Sequence, residues 1–385
     1  MSFISIAITT IIGLAVLSFL IFIHEAGHFL TARFFKVKVL EFGIGFPFLG
    51  RIFAFRRGET VYSINWLFFG GFVQLYGEDA GSESLGPDSF SAQNVWKRIA
   101  IASAGVVVNI LFAIVAFTFL MASSGFKLDM SVPFEVKFPF GKQTSYVMIT
   151  GVEANSPAEK AGLKFLDRVY SVEGVAVNNV PDLQKYVSSH KGEELALTVQ
   201  NLKENDKRIA LVTPRVNPPA GQGAMGVALD QGTELKYESL TDKIFVGVFH
   251  SVNLIDLQLV GLKDFIGQSF QQRSIEPIAS KASGPVGVVA ALGILVQNSG
   301  NQALNTLLTL TALISLMLGV GNLLPIPAVD GGRLAFLYIE ALTRKKVSPR
   351  VENLIHGVGF IILLGLIVLI SINDVIRIIS GKLFG

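Results

Sequence analysis

The chain begins with a run of apolar and small residues, Phe3 to Ile23, that contains no charged side chain. A helix of about 20 such residues is long enough to cross the hydrocarbon core of a bilayer. Three later stretches have the same character, at Ile99–Phe126, Ala303–Leu324 and Asn353–Asn373. Charged residues make up only 16% of the chain, against about 25% in soluble domains. The sequence therefore predicts an integral protein of the lipid bilayer with four transmembrane helices.

The rest of the composition excludes several classes of function. The formal net charge of +3 is small, and no basic run with interleaved aromatic residues is present, so nucleic acid is not an expected partner. The absence of cysteine excludes disulfides, thiolate catalysis and cysteine-ligated metals. The N-terminus lacks the basic region of a signal peptide, and its apolar run leads directly into a polar motif.

That motif, His24-Glu25-Ala26-Gly27-His28, has the pattern H-E-x-x-H. Two histidines four residues apart share one face of a helix and can hold one zinc ion, with the glutamate near the open metal position. Such a glutamate can take a proton from a water polarised by zinc and pass it to a leaving amide nitrogen. The pattern also arises by chance, but titratable side chains at membrane depth are costly and usually functional. We therefore expect a Zn²⁺ site here.

A β-prone region separates the first two helices. Its runs lie at residues 37–42, 51–56 and 60–64, with a turn at 57–59. The following stretch, Trp66–Val73, is too apolar and too rich in glycine for an ordinary surface loop. Non-helical backbone lies at membrane depth only against protein or a wet cavity, so we expect a hairpin that enters the membrane beside the metal. A small cytosolic sheet with a hydrophobic face fits the sequence equally well.

Residues 127–281 form a soluble excursion. The run from Asn155-Ser156-Pro157 to Asp167-Arg168-Val169 resembles a PDZ domain of the circularly arranged type found in bacterial proteases, although Leu166 stands where that pattern usually has glycine. Such a domain would bind an extended peptide or a C-terminus by strand addition. Asn217-Pro218-Pro219 is expected to end the domain as a linker.

The third helix ends in a segment that breaks the helix, Asn322–Gly332. Its two prolines stop the helix, and its two glycines allow backbone conformations that other residues avoid. The carboxylate of Asp330 would therefore provide an anionic oxygen at the end of a membrane helix. A capping aspartate at a helix stop is the structural alternative. Asn109 is expected to form a helix–helix hydrogen bond, and His356 to be a packing residue rather than a ligand.

The predicted fold is an α-helical membrane protein with four transmembrane helices, a membrane-associated β-hairpin region and one inserted extracytoplasmic PDZ domain. Basic clusters at 33–38, 97–98 and 344–350 place those loops in the cytoplasm, and hence both termini and the PDZ domain outside. The expected segments are helix 1 with the motif (1–36), the hairpin region and cytoplasmic loop (37–95), helix 2 (96–126), the PDZ domain (140–216), an amphipathic interfacial helix (234–270), helix 3 (302–325), the proline-rich end with a cytoplasmic loop (326–350), and helix 4 (351–376).

The two motifs together, His24–His28 and Asn322–Gly332, resemble the site-2 protease family of intramembrane zinc metalloproteases, with the RseP-like regulator-of-sigma proteases of bacteria as the nearest type. The resemblance includes Phe42–Pro47, Gly70–Val73 and the PDZ domain, while Val106 replaces a proline often found after the Ala-Gly pair of helix 2. It implies that His24, His28 and Asp330 bind Zn²⁺ and that Glu25 is the general base. It also implies that the hairpin at Gly70, Gly71 and Phe72 offers a strand edge to the substrate, with Asn322 and Pro325 near the substrate backbone.

Family members cut single-span membrane proteins or transmembrane peptides, such as anti-sigma factors or remnant signal peptides, in the bacterial cytoplasmic (inner) membrane. An upstream site-1 protease acts first and trims the outer domain. Three other readings remain open. A membrane-anchored zincin would need a third ligand such as Glu41 or Glu59. A catalytically silent PDZ scaffold has no need of Glu25, and a metal transporter needs more polar positions in helices 2 and 4.

Overall fold

The structure is a computed structural model that describes residues 3–78, 86–131, 136–201, 206–219, 221–274 and 284–380. It divides into two compact units, a helical unit (residues 1–120 and 266–385) and a sheet unit (residues 121–265). In chain order the elements are α1 Phe3–Phe34, β1 Val39–Arg57, β2 Thr60–Leu75, α2 Val95–Ser123, β3 Lys127–Ser131, β4 Lys142–Val152, α3 Pro157–Lys160, β5 Asp167–Val172, β6 Val175–Ala176, α4 Val180–Ser189, β7 Leu195–Asn201, β8 Lys207–Val212, β9 Val227–Lys236, α5 Leu240–Ile244, α6 Val246–Gln272, α7 Pro285–Asn298, α8 Ala303–Leu323, α9 Asp330–Thr343 and α10 Pro349–Ile379.

Among the residues that the structure describes, four helices are long and apolar enough to cross a membrane. These candidate spans are Ala7–Phe34, Val95–Ser123, Gly300–Leu323 and Arg350–Ile379. They correspond to the four predicted helices, so the prediction of four spans is confirmed at the level of length and composition. Part of the segment before α7, residues 275–283, lies outside the described residues.

Glycines allow α1 to pack closely against its neighbours. A Cβ atom on Gly27 would lie 2.7 Å from the carbonyl oxygen of Ala104 in α2, and one on Gly13 would lie 2.7 Å from Val289 in α7. Ala104 belongs to the run of small residues that the sequence marks for helix packing. The motif-bearing turn of α1 is therefore pressed directly onto the backbone of α2.

Strands β1 and β2 form a hairpin whose two long strands fold back on themselves. Residues 41–44 of β1 pair with 61–64 along one edge and with 71–74 along the other, and residues 51–57 pair with 60–65. The predicted turn after Arg57 is present, but the three short runs and the apolar stretch that follows them are parts of only two strands. Phe42 of β1 contacts Phe22 and Phe29 of α1, which fixes the hairpin against that helix.

The segment after α8 differs from the expected loop. Residues 326–350 were predicted as a proline-rich end and a cytoplasmic loop, whereas Asp330 begins the helix α9. Ala328 has φ of +78°, and its N–H donates to Nδ1 of His356 at 3.1 Å. A Cβ on Gly331 would lie only 1.9 Å from the carbonyl oxygen of Leu324. Gly331 and the strained Ala328 together permit the tight reversal that starts α9.

The sheet unit is a seven-stranded antiparallel sheet with the order β3-β9-β4-β5-β7-β8 and β6 beside β5. Its core includes Val147, Ile149, Leu183 and Leu197, all fully buried. Leu166, where the PDZ pattern has glycine, adopts a left-handed φ of +68°. The turn therefore forms even with leucine, at the steric cost that a Cβ brings to this conformation.

Two predicted boundaries in this unit differ from the bounds of the described elements. The sheet continues beyond the predicted end of the PDZ domain at 216, because β9 pairs with β4 inside it. The helix expected at 234–270 begins later, since residues 234–236 belong to β9 and the helices start at Leu240 and Val246. The sequence of β9 contains no local signal that distinguishes the end of this strand from the start of the helices that follow it. The PDZ assignment itself remains a prediction.

Candidate metal centre

His24, His28 and Asp330 converge in the helical unit. Nε2 of His24 lies 2.9 Å from Oδ2 of Asp330 and 3.2 Å from Nε2 of His28, and Nε2 of His28 lies 3.3 Å from the same Asp330 oxygen. The histidines are one turn apart on α1, and Asp330 reaches them as the first residue of α9. Within the described part of the chain, this is the one group of three or more metal-ligating side chains close enough to share an ion.

The geometry of this triad fits zinc. On a tetrahedral ion with bonds of about 2.1 Å, neighbouring ligand atoms lie about 3.4 Å apart. The three measured separations, 2.9, 3.2 and 3.3 Å, are close to that edge length. Two imidazoles and one carboxylate are also a usual donor set for catalytic zinc, which leaves a fourth position open.

Burial and the two histidine neighbours act in opposite directions on the pKa of the Asp330 carboxyl. Burial opposes ionisation of Asp330, but hydrogen bonds to His24 and His28 outweigh it and hold the pKa of this carboxyl well below its usual range. A charged oxygen here offsets part of the charge of a divalent cation in surroundings of low dielectric constant.

Helix α2 supports the two histidines from behind. Nδ1 of His28 lies 2.8 Å from the carbonyl oxygen of Ile101, and Nδ1 of His24 lies 3.2 Å from the side-chain amide of Asn109. Both Nε2 atoms therefore face Asp330. Asn109 makes the predicted helix–helix hydrogen bond, but the sequence reading did not identify the motif histidine as its partner.

Gly105 of α2 lies between these two supports and directly against the imidazoles. A Cβ atom at this position would be 2.4 Å from Nε2 of His28 and 2.6 Å from Nε2 of His24. Glycine is thus the residue that fits at this position without overlapping the Nε2 atoms of the two histidines. The sequence marked Gly105 only as a small packing residue.

A cavity of about 100 Å³ adjoins the triad and is lined by Glu25, His28 and Asp330. Arg333 and Glu78 form an ion pair on its wall. The side chain of Glu25 also lies against β2, because a Cβ on Gly71 would be 3.0 Å from Cγ of Glu25. The cavity therefore brings the Glu25 carboxylate, two members of the triad and strand β2 of the hairpin together.

The other candidate residues are placed as follows. Gly70 is buried with φ of +94°, and Phe72 lies across Gly43 of β1. Asn322 is half-buried near the end of α8, and Pro325 is exposed just beyond it.

The rival third ligands are engaged elsewhere. Glu41 is bonded to Arg51 and Ser63 within the hairpin, and Glu59 pairs with Lys38. Neither carboxylate belongs to the triad, which removes the support for an anchored zincin that would use them.

The sequence profile of peptidase family M50 matches residues 12–366. The chain belongs to peptidase family M50. This is the site-2 protease family, whose members are zinc-dependent and embedded in membranes. Three relatives, each named "putative zinc metalloprotease", match over nearly their full length. The identity is 30% over 383 residues for the protein of Rickettsia conorii (96% of this chain, 99% of the relative). It is 29% over 366 residues for that of Clostridium perfringens (95% and 98%) and 29% over 370 residues for that of Clostridium acetobutylicum (95% and 97%).

Proposed function

We propose that the protein is an intramembrane zinc-dependent endopeptidase that cuts single-span membrane proteins. The observation that carries this proposal is the position of the triad. Two of its members, with Glu25 between them, lie on a helix long and apolar enough to span a bilayer, and the third completes a zinc-like geometry with them. A site on such a helix would lie within the bilayer, where a soluble substrate would not reach it.

His24, His28 and Asp330 would hold the zinc ion. When bound, zinc would act as a Lewis acid that polarises the peptide carbonyl and lowers the pKa of water. Glu25 would take the proton of the attacking water and deliver it to the nitrogen of the leaving amine. Its place in the cavity beside His28 and Asp330 supports this role, because a base must reach both the water and the scissile bond.

The hairpin would present the substrate. A transmembrane helix must unwind before a peptide bond can enter an active site, and an unwound backbone needs partners for its N–H and C=O groups. Residues 71–74 pair with β1 along one edge, and Gly71 abuts Glu25. A substrate strand added along the opposite edge would pass the base. Gly70, Gly71 and Phe72 would form this edge, and Asn322 and Pro325 would contact the substrate backbone from α8.

We infer the biological setting from what is typical of the family. The substrates would be anti-sigma factors or remnant signal peptides in the bacterial cytoplasmic membrane, already trimmed by a site-1 protease. The basic loops would face the cytoplasm, with the sheet unit as an extracytoplasmic PDZ domain that restricts entry of untrimmed proteins. The match to M50 over most of the chain supports this setting.

The decisive experiment compares wild type with Glu25→Gln. Each purified full-length protein is reconstituted with zinc and given a single-span peptide, and the products are mapped by mass spectrometry. Glutamine keeps the shape of the side chain but cannot accept the proton, so turnover should fall by about 100- to 10,000-fold while zinc content is unchanged.

Glu59→Gln is the matched control, because this exposed glutamate pairs with Lys38 in the hairpin and should keep its activity. Undiminished cleavage by Glu25→Gln would refute the assigned base. Wild-type protein that binds zinc but cleaves no membrane peptide would favour the scaffold instead.

A further inference from the structure

Asn109 is a fully buried polar residue in the middle of α2, with 1% of its surface exposed. Its backbone carbonyl accepts a hydrogen bond from the hydroxyl of Ser315 in α8 at 2.9 Å. Its side-chain amide nitrogen lies 3.2 Å from Nδ1 of His24, and its amide oxygen is buried without a hydrogen-bond partner among the described residues. The residue is thus fixed by one helix and directed at a candidate zinc ligand on another.

The two histidines have different partners at Nδ1. The partner of His28 is the carbonyl of Ile101 at 2.8 Å. A carbonyl can only accept, so Nδ1 of His28 is protonated, and with zinc bound its Nε2 would give its lone pair to the metal. The same protonation is needed at His24, because its Nε2 is the atom that faces Asp330. An acceptor is therefore required opposite Nδ1 of His24.

The side chain of Asn109 can supply that acceptor. An amide carries both an oxygen acceptor and an N–H₂ donor, and a half-turn about its last bond exchanges them. Because the amide oxygen has no other partner among the described residues, this exchange breaks no hydrogen bond that the oxygen makes. The oxygen then faces Nδ1–H of His24 at the same short range.

We propose that Asn109 is a positioning residue of the metal centre. Its amide oxygen accepts Nδ1–H of His24, and this bond fixes the tautomer and the ring orientation in which Nε2 binds zinc. The inference rests on the zinc-binding part of the proposed function. It assigns to α2 a role in ligand geometry at both histidines, through a backbone carbonyl at His28 and through a side chain at His24.

The test measures zinc affinity by chelator competition in the purified full-length protein. Asn109→Leu keeps the approximate volume but removes the acceptor, and zinc should bind about 10- to 100-fold more weakly, as is usual when such a supporting bond to a ligand is lost. Asn109→Asp restores an acceptor, and its affinity should equal or exceed that of wild type. Thr118→Val is the matched control, since the Thr118 hydroxyl donates to the carbonyl of Ile114 within α2 itself.

A second measurement uses cobalt in place of zinc. The intensity of the visible absorption of Co²⁺ reports its coordination geometry, which a purely structural role of Asn109 would not change once the ion is bound. We expect Asn109→Leu to alter this spectrum and Asn109→Asp to preserve the tetrahedral form. Should Asn109→Leu fail to fold, Asn109→Ser carries the same expectation, because its shorter side chain cannot reach Nδ1.

Two results would overturn the inference. One is wild-type zinc affinity and an unchanged cobalt spectrum in folded Asn109→Leu. The other is an equal loss of affinity in Asn109→Leu and Asn109→Asp, which would indicate packing alone. If wild type binds zinc and cleaves its substrate in either case, the proposed function stands and only the role of Asn109 fails. If wild type does not bind zinc, both fail together.

Discussion

The closest approach of α2 to the two histidines makes Gly105→Ala a sharp test of the metal centre. The added methyl carbon would lie 2.4 Å from Nε2 of His28 and 2.6 Å from Nε2 of His24. Ordinary contacts of this kind begin at about 3.4 Å, so the imidazoles would have to retreat by roughly 0.8–1.0 Å. The methyl group would occupy the space beside the atoms that bind the ion.

That displacement is large on the scale of zinc coordination. Zinc–ligand distances in functional sites vary by about 0.2 Å, so the required movement is about four to five times the tolerance. We therefore expect zinc affinity to fall by about 100-fold or more, at the upper end of the losses seen when a ligand is misplaced. The same overpacking should lower the free energy of unfolding by about 1–3 kcal/mol.

The assay is chelator competition on the purified protein, with thermal unfolding measured in parallel. Two controls separate the effects. Gly27→Ala presses a methyl group against Ala104 at 2.7 Å and should destabilise the α1–α2 packing with a smaller effect on zinc. Gly365→Ala in α10 meets open space and should change neither property. Gly105→Ala that is folded and binds zinc with wild-type affinity would refute the proposed position of the metal.

Three further predictions concern other parts of the chain. Asp330→Asn should preserve the fold but weaken zinc binding, with activity falling in parallel, and unchanged zinc content would mean that another residue is the third ligand. Residues 127–236 can be replaced by a short linker, because Lys127 and Lys236 are paired. This variant should still cleave trimmed substrates and should also cleave some untrimmed ones. Loss of all cleavage in a folded protein would contradict the idea that the sheet unit restricts the entry of untrimmed substrates. Burial lowers the pKa of His250 to about 4, so the folded state favours the neutral imidazole. The sheet unit should therefore lose about 3 kcal/mol of stability as the pH falls from about 6.5 to 4. Hydrogen exchange of β4 should show this loss, and His250→Gln should remove the pH dependence.

The sequence was sufficient for features that depend on local composition. Charge-free runs of sufficient length led to the four spans, and the spacing of His24 and His28 led to a common helical face. Asp330 was found through its proline- and glycine-rich surroundings, and the structure places it beside both histidines. The four spans could be predicted because a span is specified by residues close together in the chain. The approach of Asp330 to His24 joins residues 306 positions apart, and the metal-binding role of the three side chains remains a prediction.

Features that depend on distant pairing were not predicted. The strand β9 was not distinguished from the helix that follows it. Its place in the sheet depends on pairing with β4, about 80 residues earlier in the chain, and such a distant pairing leaves no pattern in the local sequence. The helix α9 was taken for a loop because the two prolines and two glycines before it dominate the local pattern. The partners of Asn109 and Arg333 were likewise invisible, since His24 and Glu78 come from other elements.

The contacts of His24 and His28 with α2 depend on the register in which α1 and α2 pack. His24 and His28 are one turn apart on α1, about 6 Å along the axis, whereas their partners Asn109 and Ile101 are two turns apart on α2, about 12 Å, with Gly105 midway between them. The order is reversed, with Asn109 at His24 and Ile101 at His28, because the helices run in opposite directions. A slip of one turn would place a side chain where Gly105 leaves space and would remove the acceptor from one imidazole. The packing of α2 thus selects the register in which the two histidines of α1 lie side by side with their Nε2 atoms toward Asp330.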